Sequence, residues 1–329
     1  MSIVVSGMRP TGKLHIGHYF GALVNWIALQ EKKECYFLVA DWHALTSDYE
    51  HTEKLSENTR EMVADWLACG VDPNKAAVFL QSKVKEHAEL YLILSMFTPL
   101  GWLERNPTYK EQQQEIQDKD ISNLGFLGYP VMQTADILAY KALEVPVGKD
   151  QVPHLEISRE IARRFNHLTK TELFPEPKAL LTPESKILGT DGRKMSKSYG
   201  NAIFFADDDK TIETKIRAMV TDPKRVKRQD PGNPKDCPLF TLHEIYSSKT
   251  VINQVIEGCT TAGIGCVDCK KLLLPSLTSK VGEIRAKREE WISRPAMMDE
   301  ILGDGSKKAE KKAAETLKEV KDALHILKV

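Results

Sequence analysis

Ile3-Val4-Val5-Ser6-Gly7-Met8-Arg9-Pro10-Thr11-Gly12-Lys13-Leu14-His15-Ile16-Gly17-His18 is the stretch that decides the fold. Ile3 to Ser6 is a β-branched run ended by Gly7. Arg9 to Gly12 is a Pro/Gly turn, and from His15 to Leu29 apolar residues recur at helical spacing. The stretch therefore reads strand, turn, helix. Downstream, Cys35 to Asp41 is an apolar run of buried-strand type. Thr52 is placed to cap a helix with Leu55, Met62, Val63, Trp66 and Leu67 at helical spacing, Gly70 ends that helix, and Val78-Phe79-Leu80 is the next strand. Continuously apolar strands alternating with helices predict a parallel sheet covered on both faces, a Rossmann-like doubly wound α/β fold.

Pro130 is expected to open a helix running to about Leu143, Val145 to Gly148 to be extended, and Pro153 to open a helix to about Asn166. Residues 171–193 read as loops. Beyond Ala206 the patterns are helical only, so a second, all-α domain is expected over 206–294. Residues 1–193 then form the Rossmann domain and 194–205 a connecting loop. The final helix, about 295–329, is amphipathic and is able to pack back on the first domain.

Composition bounds the rest. With 329 residues and 42% hydrophobic content the chain can fill a sizeable core. Lys plus Arg (46) equals Asp plus Glu (46), so there is no basic excess of the kind that marks many nucleic-acid binders. No run of 18 apolar residues exists, and the first residues lack a basic segment followed by a long apolar one; a cytoplasmic protein without a membrane span is expected. Cys35 and Cys69 are isolated, but Cys237, Cys259, Cys266 and Cys269 fall within 33 residues. In a reducing compartment such clustering suggests metal or redox chemistry over disulfides. Four thiolates on tight loops suit either tetrahedral Zn²⁺ or an iron–sulfur cluster.

Two motifs carry phosphate chemistry. Pro10-Thr11-Gly12-Lys13-Leu14-His15-Ile16-Gly17-His18 sits where the first strand turns into the first helix, the preferred phosphate site of a parallel sheet. His15 and His18 are three apart and can donate to phosphate oxygens; Gly17 lets a flat ring approach the backbone. Gly189-Thr190-Asp191-Gly192-Arg193-Lys194-Met195-Ser196-Lys197-Ser198 places two lysines and two hydroxyls in a Gly-rich loop suited to clamping a polyphosphate. Alone, the first could be two surface histidines and the second a solvated basic loop. A third element is the polar stripe Tyr129, Gln133, Asp136, Tyr140 at i, i+4, i+7, i+11. Such a stripe needs partners if buried and otherwise walls a pocket for a polar, aromatic-bearing ligand.

His15-Ile-Gly-His18 and Lys194-Met-Ser-Lys-Ser198 resemble the paired signature sequences of class I aminoacyl-tRNA synthetases. Asp41-Trp-His43, Tyr129-Pro-Val-Met-Gln-Thr-Ala-Asp136, Val145-Pro-Val-Gly-Lys-Asp-Gln151 and Arg159-Glu-Ile-Ala-Arg-Arg-Phe-Asn166 are similar to the tryptophanyl and tyrosyl subgroup, closer to the bacterial tryptophanyl enzymes. The likeness covers nearly the whole chain. It implies a ligase that joins L-tryptophan to tRNA(Trp) with ATP and Mg²⁺, a helical anticodon-binding domain and a homodimer. A tyrosyl enzyme and a non-ligating paralogue are the alternatives. It further implies catalytic roles for His15, His18, Lys194 and Lys197. ATP would meet Arg9, Pro10, Thr11, Gly17, His18, Gly148, Lys149, Asp150, Ile187, Lys194, Met195, Ser196, Lys197 and Ser198. Tryptophan would meet Asp136, Tyr129, Gln133, His43 and Gln151. Cys237, Cys259, Cys266 and Cys269 resemble the site of a minority type holding a [4Fe–4S] cluster, with Zn²⁺ as the other occupant. For tRNA, local positive surface is expected at Lys224-Arg225-Val-Lys227-Arg228, at Lys270-Lys271 and on the last helix.

Overall fold

A computed structural model describes residues 2–107, 109, 110, 121–181 and 187–327. Five parallel strands make one sheet: β1 (Ile3–Met8), β2 (Glu34–Val39), β3 (Ala76–Leu80), β4 (Glu144–Val147) and β5 (Lys178–Leu181), in the order β3-β2-β1-β4-β5. The doubly wound Rossmann-like fold expected from the sequence is borne out. Along β2, Cys35, Phe37 and Val39 bury into one layer while Tyr36 and Leu38 bury into the other. Side chains alternate across a strand, so a run apolar at every position supplies both layers.

Helices cover both faces. The first helical stretch, α1, runs from Ile16 to Gln30 with a wider turn at Tyr19–Leu23. Then follow α2 (Asp41–Asp48), α3 (Leu55–Cys69), α4 (Glu86–Phe97), α5 (Leu100–Glu104), α6 (Leu124–Leu138) and α7 (Val152–Thr169). Trp26 of α1 stacks on Phe37 with ring centroids 4.5 Å apart and meets Trp66 of α3 edge-on. Past the sheet come α8 (Asp209–Ala218), α9 (Pro238–Tyr246), α10 (Lys249–Thr260), α11 (Cys266–Ile292) and α12 (Pro295–Ala323). α11 lies along α3, and α12 lies along β3. The latter approach depends on Gly305, since any Cβ there would collide with the Val78 carbonyl.

Two expectations need correction. Pro130 does not open its helix: α6 begins six residues earlier, capped by the Asn123 side chain, which accepts the Phe126 amide at 2.9 Å, and Pro130 lies inside it. Gly125, Gly128 and Pro130 depress local helix propensity, but burial of Phe126 and Val131 outweighs it. Residues 171–193 are not all loop either. Lys178–Leu181 is the edge strand β5, held in register by β4 (Glu144↔Lys178 to Val147↔Leu181). It is only four residues long and half exposed, so it has no periodic signal of its own.

The topology creates the site. β1 has β2 on one side and β4 on the other, the switch point at which a doubly wound sheet opens a crevice beyond its strand ends. β1 and β4 are registered only at Val4↔Glu144. Ser6 to Arg9 and Pro146 to Gly148 are thereby left to wall a cavity.

Candidate active site

That cavity has a volume of about 350 Å³, within the usual range for small-ligand sites. Among the expected residues, Arg9, His43, Tyr129, Gln133, Asp136, Gly148 and Gln151 line it. α6 carries Tyr129, Gln133 and Asp136 on one face. Tyr140 lies past the end of that helix, fully buried and stacked on Tyr36, so it backs the cavity instead of lining it.

Asp136 is the charged floor. Its Oδ2 accepts from His43 Nε2 at 2.9 Å, its Oδ1 from His87 Nδ1 at 2.5 Å, and Gln81 Nε2 bridges both oxygens at 2.8 and 3.0 Å. Burial by itself would raise this carboxyl. The hydrogen bonds from His43 and His87 outweigh burial and hold it well below the usual carboxylate range. Each oxygen thus takes two contacts, one of them from the Gln81 amide that the two oxygens share, so a further N–H reaching this carboxylate would replace or share a Gln81 contact. Tyr129 hydrogen-bonds His154, whose Nδ1 is 3.0 Å from Gln151 Oε1. Gln81, His87 and His154 are essentially fully buried. Sequence reasoning assigned them no role: Gln81-Ser-Lys-Val-Lys-Glu-His87 reads locally as a polar turn, and only the three-dimensional approach to Asp136 gives it meaning.

Next to the cavity lies the first turn of α1. Gly12 takes φ +89°, a backbone region that favours glycine, and lets the chain reverse before His15. The Leu14 amide donates to Asp65 Oδ2 at 2.6 Å, and the His15 amide donates to His18 Nδ1 at 3.3 Å. The two imidazoles lie 3.8 Å apart. Burial lowers His15 to about 4, and burial together with His15 and Lys197 lowers His18 to about 2, so both rings are neutral near pH 7. His15 Nδ1 is buried and has no hydrogen-bond partner among the described residues. Gly17 faces the His15 ring and Met195, where an added Cβ would come within 2.9 Å of the ring.

Residues 187–201 fold over this turn. Ile203 O accepts the Ile16 amide and Leu14 O accepts the Phe205 amide, tying the segment down. Lys197 Nζ donates to Thr11 O, Thr11 Oγ1 and Gly12 O, each at 3.0 Å, and burial lowers its pKa to about 8. Ile187 and Met195 are buried, while Lys194 and Ser198 are exposed. Ser196 and Ser198 share a hydrogen bond of 2.9 Å. Asn201 organises the loop, accepting from the Ser196 amide and donating to Asp191 and to Lys194 O. Nothing in the sequence marked it. Pro10 and Thr11 enter this turn from β1. Lys149 and Asp150 lie on a short turn (Lys149–Gln151) at the end of β4, and the Asp150 side chain lies outside the described residues.

The four clustered cysteines come together elsewhere. Cys237 precedes α9, Cys259 lies near the end of α10, and Cys266 and Cys269 are on the first turn of α11. All four line one small cavity with Thr221, Asp222, Arg225, Leu239 and Ile264. Arg225 Nη1 is 3.9 Å from Cys266 Sγ, and Arg225 Nη2 donates to the carbonyls of Arg228 and Ile264. Even so, no group of three or more His, Cys, Asp or Glu among the described residues converges as a site for a metal ion. Of the expected positive surface, Lys224, Lys227, Arg228 and Lys271 are exposed. Lys270 is not surface: it is 9% exposed, and its ammonium is held by Arg217 O and Met219 O at 2.7 and 2.5 Å, capping the end of α8.

A switch-point cavity floored by an anion, with a lysine loop reaching across to the first turn of the fold, is the arrangement of a Rossmann-class enzyme with a small-ligand site. Comparison with known proteins takes this further. The family tRNA synthetases class I (W and Y) matches residues 1–279, and the chain belongs to it. It is 54% identical to the tryptophan–tRNA ligase of Thermotoga maritima over 98% of this chain and 99% of that one. It is 44% identical to that of Aquifex aeolicus over 98% and 99%. The crystal structure of tryptophanyl-tRNA synthetase from Campylobacter jejuni, complexed with ADP and tryptophan, superposes with a TM-score of 0.89 at 36% identity, covering 98% of this chain and all of that one. Among the described residues no helix is long and apolar enough to cross a membrane.

Proposed function

We propose that this chain, a tryptophan–tRNA ligase by its family and its full-length relatives, makes tryptophanyl-adenylate in its switch-point cavity and passes the acyl group to tRNA(Trp) in the cytoplasm. The tryptophan carboxylate attacks the α-phosphorus of ATP, and the bond to the pyrophosphate leaving group breaks. The terminal ribose hydroxyl of the tRNA then takes the acyl group and AMP leaves. The observation that carries this reading is Asp136, a buried carboxylate held in its charged form at the floor of an amino-acid-sized cavity, with Gln81 shared between its two oxygens. Indole Nε1–H is a donor only and needs such an acceptor, taking over one of the shared Gln81 contacts. Tyr129, His43, Gln133 and Gln151 complete the amino-acid site.

Gly17 faces the adenine, and Gly148 and Asp150 the ribose. His15 and His18 steady the α-phosphate; the unpartnered Nδ1 of His15 suits a phosphate contact. Lys197 exchanges its Thr11 and Gly12 oxygens for the pyrophosphate, with Lys194 beside it. Arg9, Pro10, Thr11, Lys149, Ile187, Met195, Ser196 and Ser198 shape the same nucleotide site. Mg²⁺ would accompany the triphosphate and neutralise its charge. Catalysis of this kind rests on positioning and electrostatics. Pyrophosphate exchange measured with tryptophan and with tyrosine tests the reading. Exchange with tryptophan alone is expected; exchange with tyrosine alone makes the chain a tyrosyl enzyme, and none with either favours a non-ligating protein.

Cys237, Cys259, Cys266 and Cys269 hold a [4Fe–4S] cluster in this proposal. What supports a shared site is that the four thiols line one cavity, and the Arg225 guanidinium beside Cys266 suits the negative charge of a thiolate-bound cluster. Such a cluster would fasten α9, α10 and α11 together. Iron and acid-labile sulfide in anaerobically purified protein support this, whereas one zinc per chain without iron refutes it. Lys224, Lys227, Arg228 and Lys271 offer phosphate contacts for the tRNA, with Lys224 and Lys271 each holding an exposed acidic neighbour that a phosphate would displace. A homodimer fits the exposed Leu92, Met96, Leu100 and Leu124 on α4 to α6, and light scattering of the purified chain decides it.

A further inference from the structure

Asp65 is 0% exposed on α3, and neither of its oxygens serves its own helix. Oδ2 accepts the Leu14 amide at 2.6 Å, and Oδ1 accepts Arg288 Nε at 2.9 Å. Leu14 directly precedes His15, and its carbonyl also takes the Phe205 amide. Arg288 is 7% exposed near the end of α11 and spans two carboxylates of α3, Asp65 and Glu61. A hydrophobic helix pair needs no such bridge. Burying a guanidinium and two carboxylates is costly unless every group is fixed in place. The fixed group here is a main-chain amide of the turn that carries Lys197 on Thr11 and Gly12.

We propose that Asp65 and Arg288 are positioning residues for the phosphate-binding turn: Arg288 locks the Asp65 carboxylate, and Asp65 locks the Leu14 amide so that residues 11–18 present their donors to the triphosphate. α11 begins with Cys266 and Cys269 and ends beside Arg288. The far end of the helical region is thus joined to the ATP site by one continuous helix and two hydrogen bonds. Neither residue touches substrate.

The inference rests on the reading of residues 9–18 as the ATP site. Asp65→Asn keeps the shape but turns an N–H toward either the Leu14 amide or Arg288. Removing one partner of a buried charged hydrogen bond predicts a rise in ATP KM of about tenfold in tryptophan-dependent exchange, with the tryptophan KM within about twofold of the parent. The tryptophan cavity is walled mainly by β1, β4 and α6, with Gly21, Ala22 and Trp26 of α1 beyond the turn, and neither Leu14 nor Arg288, the two partners of Asp65, lines it. Arg288→Met should raise ATP KM similarly, Arg288→Lys should restore part of it, and Asp65→Asn added to Arg288→Met should cost little more, because the two act in series. If Arg288→Met does not fold, Asp65→Asn and Arg288→Lys carry the test. Lys197→Ala is the control for the underlying reading. An unchanged exchange rate in Lys197→Ala overturns that reading. A crippled Lys197→Ala beside an Asp65→Asn with unchanged ATP KM, or with ATP and tryptophan KM raised equally, overturns this inference alone.

Discussion

His87 stands between Asp136 and Tyr140: Nδ1 is 2.5 Å from Asp136 Oδ1 and Nε2 is 2.6 Å from the Tyr140 hydroxyl. With Asp136 ionised, Nδ1 carries the proton and Nε2 accepts from tyrosine, so one imidazole fixes both the charge and the direction of the carboxylate. Asp136→Asn would set an amide N–H against His43, His87 or Gln81. The expected loss in kcat/KM for tryptophan is about 100-fold, and His87→Leu should lose about tenfold by taking the acceptor from Tyr140 and leaving Asp136 Oδ1 with Gln81 alone. Steady-state exchange at varied tryptophan reads both values, and an unchanged kcat/KM in Asp136→Asn removes the carboxylate from amino-acid recognition.

Lys197 sets an alkaline limit. Burial disfavours its charged form and brings its pKa down from 10.5 to about 8. Because the cation does the work, kcat/KM for ATP should be level below that value and fall as pH rises through about 8. Free-enzyme groups govern kcat/KM. Lys197→Arg keeps its charge at any accessible pH and should lack the limb, whatever its absolute rate. A profile still flat at pH 9.5 would falsify this assignment.

The sheet was legible because β1, β2 and β3 carry unbroken apolar runs (Ile3–Val5, Cys35–Val39 and Ala76–Leu80), and such runs are buried best between two helical layers. The His15–His18 and Lys194–Lys197 motifs were legible as local clusters, a His pair on one turn and a Lys pair on one loop, and the structure brings Lys197 onto the turn before the His pair. Most of the missing pieces are made by contacts distant in the chain. β5 exists because β4 offers it a ladder. The start of α6 depends on the Asn123 cap and on buried Phe126 overriding two glycines and a proline. Asp65, Gln81 and His87 sit in segments whose local patterns describe an ordinary helix and a polar turn. Lys270 misleads for the opposite reason: lysine is nearly always surface, and only the carbonyls ending α8 draw this one inside. The four cysteines were legible as a group. Their common cavity needs three helices and a loop to form.

Gly305 is a stability determinant of the last helix. α12 runs against β3 with the Gly305 Cα at the Val78 backbone, and no rotation of a side chain relieves a Cβ placed there. Gly305→Ala should therefore lower stability by about 2–3 kcal/mol despite alanine's better helix propensity, because the whole helix must shift. Gly303 has open space around its Cβ position, and Gly303→Ala should be neutral or slightly stabilising. Chemical denaturation of the two variants gives the contrast, and equal midpoints would show that α12 adjusts freely.

Cys259 offers the sharpest test of the cysteine site. It is the one thiol contributed by α10, and its carbonyl also accepts the Gly232 amide, so it draws the 222–233 loop toward α10 and α11. If a cluster fastens these segments, Cys259→Ala should cut iron per chain by at least about half and lower the unfolding temperature by several degrees, since binding energy at a structural metal site is folding energy. Cys35→Ala is the matched control: Cys35 is buried in β2, far from the site in the chain, and its loss should cost packing without altering the iron content. Iron that stays constant in Cys259→Ala, or that falls equally in Cys35→Ala, would show that the four thiols do not act together.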